Sequence, residues 1–498
     1  MGVNMVSRRW VLGGLLASGA GIANAAPFDR ALIPPPRPNG FAKRAAPDAG
    51  DLINAANLSG NTAFVVADAR SGAVLEAVNG AQKMPPASTA KAITTAYALN
   101  YLGPEYVFRT QLVATGPVVN GRVQGDLILV GGGDPILDTD QLGQMASQLR
   151  ARGVRGVDGA FRYFAGALPQ IHDIDPDQPD HVGYNPSISG LNLNFNRVHF
   201  EWKRASQGYT VTMDARARNY APRVNTARMR VVNRKAPVYT YAQANGGVDD
   251  WTVASAALGN GGARWLPVRH PGGYAAEVFQ AVAAAQGIAL PSPRETRNRP
   301  AGTVLAENIS PSLTTILRAM MKYSTNLTAE VVGLTATGRR SGSIGGLSAS
   351  GGQMTDWLGD RLGQSNARFV DHSGLGEDSR ISPQDMTRVL SGYGANSVLA
   401  GLMKDVYLKT ADGKPDKSNP VKIRAKTGTL NFVSGLTGYV KTRSGRDLVF
   451  ATFMADQRAR AAITDETRER PQGGRTWTRK ARNLQLDLIN RWATVYNS

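Results

Sequence analysis

The chain has 498 residues, 42% of them hydrophobic, which suffices for a globular core and, by length, about three domains. It has no cysteine, so disulfides, thiolate nucleophiles and cysteine-ligated metals are excluded. Its 57 lysines and arginines against 38 acidic residues give a net charge of +19 and an affinity for polyanions, yet no helix-turn-helix, zinc-finger or RNP-like pattern supports nucleic acid as the partner.

In chain order, Ser7-Arg8-Arg9-Trp10-Val11-Leu12 resembles a twin-arginine export signal. The uncharged stretch Val11 to Ile22 is too short to span a bilayer, and Ala23-Asn24-Ala25 fits a cleavage site. Residues 1–25 are therefore expected to be a signal peptide and the mature chain to reach the periplasm; an ordinary Sec signal with two arginines is the alternative. The accessible polyanions there are cell-wall polymer and anionic lipid headgroups, so peripheral membrane contact stays open. Residues 26–60 are rich in Pro and Ala. Ala63 to Ala69 and Ala73 to Val78 read as strands joined at Arg70-Ser71-Gly72. After Pro85-Pro86, the Ala- and Leu-rich run Ser88 to Leu102 reads as a helix stopped by Gly103-Pro104.

From about Thr110 to Tyr274 the chain is strand-like and punctuated by glycine, as in Val198 to Met213. Tyr274 to Ile288 is helical, as are Pro311 to Lys322 and Leu327 to Leu334. Val421 to Leu430 alternates like a strand. Gly435 to Val440 and Asp447 to Phe453 suit a hairpin, and Trp477 to Tyr496 an amphipathic helix.

Three short motifs recur in one order: Ser88-Thr89-Ala90-Lys91, Ser324-Thr325-Asn326 and Lys426-Thr427-Gly428. Residues three apart share a helix face, so Ser88 and Lys91 can meet. A serine hydroxyl needs a neighbouring base, and a lysine kept neutral can serve. Taken singly, the first motif could be a capping serine with an exposed lysine, the second an ordinary N-cap, the third a solvated lysine on an edge strand. Ser324 to Asn326 falls in a tight connection between helices, where its side chains can face a cleft. Gly428 admits close approach of another backbone.

The ordered set is the signature of penicillin-recognising serine acyl-transferases. With Gly125 to Pro135, Leu191 to Asn196 and Asp371-His372-Ser373-Gly374-Leu375, the chain resembles the DacB-like D-alanyl-D-alanine carboxypeptidases/endopeptidases, the low-molecular-weight class C penicillin-binding proteins of peptidase family S13, from about Asn61 to Asp456. His372 stands where that family usually has a small residue, which puts the local turn in question. More than two hundred positions separate Lys91 from Ser324, far more than in a compact β-lactamase. Neither Glu330 nor Glu377, the two glutamates between Asn326 and Lys426, begins the Glu-x-x-x-Asn pattern of the class A β-lactamase loop.

The resemblance implies an α/β (α+β) fold: a penicillin-binding-protein/β-lactamase-like transpeptidase domain with an antiparallel sheet flanked by helices, formed by 26–109 and 275–498, and a β-rich inserted region, 110–274. It implies hydrolysis of D-Ala-D-Ala peptides of peptidoglycan through an acyl-enzyme, with β-lactams as covalent inhibitors. Ser88 would be the nucleophile, Lys91 its base, Ser324 a proton relay and Asn326 a substrate-amide contact that also helps to fix Lys91. Lys426, Thr427, Gly428 and Thr429 would meet the terminal carboxylate, the backbone N–H groups of Ser88 and Thr429 would form the oxyanion hole, and Asp134 and Arg380 would meet the stem-peptide side chain. No cofactor is implied. A penicillin-binding sensor with little turnover and a basic, non-enzymatic wall-binding protein are the rival readings.

Two clusters point elsewhere. His172 to Asp177 hints at calcium, but an EF-hand loop from Asp173 would need Gly and Glu where Gln178 and Tyr184 stand. The arginines from Arg468 to Arg482, around Trp477, read as a solvated surface or a polymer-docking patch. The five histidines show no metal-binding spacing, and no metal is expected.

Overall fold

A computed structural model describes residues 46–498. The expected export signal, with Arg8, Arg9 and the Ala23-Asn24-Ala25 site, lies outside the described residues.

The first and last thirds of the chain build one antiparallel sheet of six strands. Its order is Lys404–Val406, Lys422–Leu430, Val433–Lys441, Asp447–Ala455, Asn61–Asp68 and Val74–Val78. The inner strands are buried on both faces, which is why Ala63 to Ala67 is an unbroken apolar run and Leu448 to Ala455 is interrupted only by Thr452. On one face, Phe64, Val66, Leu436 and Phe450 pack against Trp477, Leu484, Leu488 and Trp492 of the helix Gly474–Val495. On the other, Ala63, Ala67, Val449 and Phe453 join a core built from the helices Ala90–Tyr101, Leu313–Tyr323, Asn326–Ser341, Leu347–Leu362 and Pro383–Tyr393. Burying both faces of a central sheet under helices is a stable way to hide its apolar side chains.

A second core belongs to the inserted region. Its main sheet runs Arg294–Glu295, Phe161–Phe164, Leu127–Val130, Arg109–Ala114 and Thr303–Ile309, beside three three-stranded sheets. The strand-like stretch Val198 to Met213 is divided between two antiparallel strands, Arg197–Arg204 and Tyr209–Asp214. Two details correct the sequence reading. The helix Thr139–Ala151 interrupts the strand-like stretch; Asp138 and Gln141 cap it reciprocally, and Leu142, Met145, Ala146 and Leu149 bury its apolar face. The boundary placed after residue 274 cuts the helix Pro271–Ala284, whose Tyr274, Val278, Phe279 and Val282 fill this second core. Thr303–Ile309 then pairs along Arg109–Ala114, so the chain returns to the first core only after Ile309. Among the described residues no helix is long and apolar enough to cross a membrane.

Candidate active site

Ser88 does not lie in the α-helix proper. It is the middle residue of a 3₁₀ turn, Ala87–Thr89, that runs into the helix Ala90–Tyr101. Ala87 takes a left-handed conformation, φ 46°, and a non-glycine residue held there costs about 1 kcal/mol or more. The turn leaves Ser88 half-exposed and sends Lys91 inward, fully buried. Lys91 Nζ lies 3.0 Å from Ser88 Oγ, 2.8 Å from Asn326 Oδ1 and 2.8 Å from the carbonyl oxygen of Ser373. The last two can only accept. A neutral amine has two N–H groups for them and one lone pair left for the Ser88 hydroxyl proton. Burial is the main cause that pulls Lys91 from 10.5 to about 8, against the opposing charges of Glu330 and Asp371.

A second serine–lysine pair faces the first. Ser324 caps the helix Leu313–Tyr323 in a left-handed conformation, φ 60°, donating its N–H to Met320 O at 2.8 Å. Asn326 opens the next helix. The tight connection expected here is present, and it aims Ser324 Oγ at Lys426 Nζ, 2.9 Å away. Lys426 also donates to Thr427 O at 2.7 Å and is only 1% exposed. Burial, then the charges of Lys91 and Lys404, hold it well below the ordinary lysine range.

The strand Lys422–Leu430 brings Gly428 against the serine turn. A Cβ on Gly428 would lie 2.7 Å from Pro86 O and 3.1 Å from Ser88 N, so no other side chain fits without movement. Lys404–Val406 pairs only with residues 423–425, so Lys426 to Leu430 have no strand partner on that edge among the described residues. Such an edge can hydrogen-bond an extended peptide.

Beneath Lys91 lies a support layer that sequence reasoning did not place. Glu330 accepts from the N–H groups of His372 and Ser373, at 2.9 and 2.8 Å, and so holds the segment that leads into the Ser373 carbonyl facing Lys91. Asp371 accepts from Gly374 N, Gly376 N and Ser379 Oγ. Burial pushes Glu330 up to about 8 and raises Asp371 as well. The turn questioned because of His372 is thus intact. The His372 ring points inward, 2.7 Å from Ser350 Oγ through Nε2, and burial holds it neutral, at about 3. It fits because Gly333 stands opposite.

The site opens into a cleft of about 1230 Å³ lined by Ser88, Ser324, Asn326 and Thr429. Part of its wall comes from the inserted region. Tyr184 lines it, and its backbone oxygen accepts from Asn326 Nδ2 at 2.9 Å, a contact with no sequence signal. Thr427 is half-buried beside Lys426, and the Thr429 hydroxyl accepts from Arg482 at 3.2 Å. Asp134 and Arg380 are not brought to the cleft wall. Asp134 is 2% exposed and accepts from Ile136 N at 2.9 Å; burial pushes it up to about 6. Arg380 is spent on the carbonyls of Glu377 and Ser379. Of the acidic stretch considered for calcium, Asp173 pairs with His172 at 2.7 Å and Asp175 accepts from Gln178 at 2.7 Å. Among the described residues no group of three or more His, Asp or Glu could hold a metal ion.

Known proteins resemble the chain in sequence and in fold. An Actinomadura D-alanyl-D-alanine carboxypeptidase is 27% identical over 423 residues, covering 78% of this chain and 76% of its own. The D-alanyl-D-alanine carboxypeptidase DacB of Haemophilus influenzae is 24% identical over 434 residues, covering 81% and 87%. The crystal structure of penicillin binding protein 4 (dacB) from Haemophilus influenzae superposes with a TM-score of 0.73 at 18% identity, covering 90% of this chain and 99% of that one. The fold is therefore that of a penicillin-binding protein with an inserted region. The family model of the D-Ala-D-Ala carboxypeptidase 3 peptidases matches residues 50–472, which span all three motifs as well as the inserted sheets. A peptidase architecture matched over that length makes the chain a member of the D-Ala-D-Ala carboxypeptidase 3 (S13) family.

Proposed function

We propose that this protein is a serine-type D,D-peptidase that cleaves D-Ala-D-Ala peptides of peptidoglycan through an acyl-enzyme on Ser88, and that β-lactams acylate the same oxygen. The observation that carries this reading is the environment of Lys91: buried, drawn towards neutrality, with two pure acceptors for the N–H groups of its neutral form and Ser88 Oγ 3.0 Å away to meet the lone pair that form exposes. Ser88 Oγ attacks the penultimate carbonyl as its proton passes to Lys91. The N–H groups of Ser88 and Thr429 receive the developing oxyanion. Ser324, held by Lys426, relays the proton taken up by Lys91 to the departing nitrogen as the C–N bond breaks. The substrate's terminal carboxylate lies by Lys426, Thr427 and Thr429 and favours the charged form of a lysine that burial otherwise discharges. Water then frees the acyl group. Because the Lys426–Leu430 edge runs on into an open cleft, a longer amine can leave in place of D-alanine, so the same site serves as an endopeptidase.

The reading is supported by membership of a carboxypeptidase family and by the solved complex of Haemophilus influenzae penicillin binding protein 4 with a β-lactam. Incubation with penicillin should add one drug mass to the peptide containing Ser88, and Ser88→Ala should remove it; an adduct on another serine rejects the assignment. We place the mature protein in the periplasm, delivered by Arg8-Arg9 and the apolar stretch that follows.

A further inference from the structure

The free edge of Lys422–Leu430 begins where the short strand Lys404–Val406 stops, and Lys404 lies opposite Ala425, the last rung before that edge. Directly opposed residues of an antiparallel pair share a face, and so do residues two apart on one strand. Lys404, Ala425 and Thr427 therefore share a face, with Lys404 diagonal to Thr427 at a separation that a long side chain spans. Thr429 continues that face, and its hydroxyl accepts from Arg482 at 3.2 Å. Lys404 is half-buried, yet among the described residues its amine has neither a hydrogen-bond partner nor a carboxylate within ion-pair distance. Asp405 stands opposite Arg424 and faces the other way. Lys426 and Arg482 also have no carboxylate partner among the described residues, whereas Lys203, Lys414 and Lys441 each have one. The charges that act most on the two lysines are positive. Burial, then Arg482, lowers Lys404; burial, then Lys91 and Lys404, lowers Lys426. Like charges gathered in partly dry surroundings cost the folded chain free energy that an incoming anion offsets.

The identity of that anion rests on the reading proposed above. There the scissile carbonyl meets the N–H of Thr429, and the terminal carboxylate lies by Lys426 and Thr427. From Thr429 to Thr427 is thus the leaving direction along the edge, and Lys404 stands at its end. Lys426 by itself cannot satisfy a carboxylate there. A charged lysine has three N–H groups, and Ser324 Oγ and the carbonyl of Thr427 already take two of them. One is left for a group with two acceptor oxygens. We propose that Lys404 is a second cation for the carboxylate beside the scissile bond, approaching from the Thr427 face while Lys426 serves it from beside Ser324, and that it sets the preference for a free carboxylate over an amide. All three N–H groups of a charged Lys404 are free for this, and its flexible stem lets the amine swing to a ligand bound against Thr427.

The test compares the unmodified full chain with Lys404→Gln and Lys404→Arg, on a D-Ala-D-Ala peptide and on its C-terminally amidated counterpart. The unmodified chain should favour the free carboxylate in kcat/KM. Lys404→Gln should cut that preference about tenfold, as the loss of one charge-assisted contact allows, with the change mainly in KM, and Lys404→Arg should keep most of it. Circular dichroism checks that both variants are folded. A merely structural role would slow both peptides alike and leave their ratio where it was. Binding without turnover gives a second readout: in chains carrying Ser88→Ala, anisotropy of the fluorescent free-carboxylate peptide should show about tenfold weaker binding once Lys404→Gln is added. An unchanged ratio in Lys404→Gln, equal cleavage of both peptides by the unmodified chain, or unchanged anisotropy overturns the proposal. So does a stronger preference in Lys404→Gln, which would mean that Lys404 acts only by opposing the charge on Lys426. If the unmodified chain cleaves neither peptide and takes up no penicillin, the reading of Ser88 fails instead, and the anisotropy comparison still decides the role of Lys404.

Discussion

Gly333→Ala sets local helix preference against tertiary fit. Gly333 lies inside the helix Asn326–Ser341, where alanine is ordinarily better than glycine by about 0.5–1 kcal/mol. Here the added Cβ would stand 2.1 Å from Cγ of His372, 2.3 Å from Nδ1 and 2.4 Å from Cδ2. The ring cannot yield easily. It is fully buried, held by Ser350 at 2.7 Å and stacked near Tyr97 at 6.2 Å between ring centres. Overpacking a tight core costs about 1–3 kcal/mol, occasionally more. A contact this short belongs at the upper end, so we expect a net loss of about 2 kcal/mol despite the gain in propensity.

The displacement passes along the 371–376 turn to Ser373, whose carbonyl holds Lys91. Penicillin acylation should therefore slow along with the loss of stability. Urea unfolding of wild type, Gly333→Ala, His372→Ala and the double variant supplies the cycle. The two losses should be non-additive by about 1–3 kcal/mol, because removing the ring removes the clash. A Gly333→Ala protein as stable as wild type or more so, or strict additivity in the cycle, refutes the argument.

Two further outcomes follow from the same geometry and a third from the sequence of the N-terminal segment. Lys91→Ala should slow penicillin acylation by about 10²–10⁴, and the wild-type acylation rate should rise with pH through about 8 as Lys91 loses its proton. The folded value lies below the unfolded 10.5, so the unfolded chain binds more protons between the two; the stability this group contributes is full above 10.5 and lost as pH falls to about 8. Near-normal acylation in the variant, or a flat pH profile, would pass the base role to another group. Lys426→Ala should lower kcat/KM on a D-Ala-D-Ala peptide by about 10–100-fold, with Lys426→Arg retaining more, and should shrink the preference over the amidated peptide. A wild type that cleaves both equally well, with a variant that leaves the ratio alone, rejects carboxylate recognition by Lys426. Replacing Arg8 and Arg9 by lysine should leave uncleaved precursor in the cytoplasm, seen by fractionation and blotting; normal maturation would point to the Sec route.

Much of the site was legible because its key pair is local. Ser88 and Lys91 are three residues apart, and a helical turn brings such residues together whatever the rest of the chain does. The exchange of an α-helical for a 3₁₀ start at Ser88 did not disturb that meeting. The buried strands were legible for a similar reason, since strands covered on both faces are mostly apolar, with only small hydroxyls such as Ser434, Thr437 and Thr452 between. The helix Thr139–Ala151 was lost among strand-like neighbours, although its apolar spacing was present.

The remaining links join positions far apart in the chain, and no local period encodes them. Asn326 meets Lys91 and Lys426 meets Ser324 only after the sheet and the helices pack. The Tyr184 carbonyl enters the site as backbone, which carries no residue signature. Asp134 and Arg380 show the converse: each is the right chemical type, but packing turns them to Ile136 N and to the carbonyls of Glu377 and Ser379. Sequence by itself determined the order of the three motifs, the pairing of Ser88 with Lys91 and the largely apolar strands, because these depend on covalent order and on periods of two and three to four residues. Only the tertiary structure decided which distant groups surround Lys91, that His372 fits against Gly333, and that the arginines of Gly474–Val495 face the cleft, because those depend on how buried surfaces exclude water and one another across hundreds of residues.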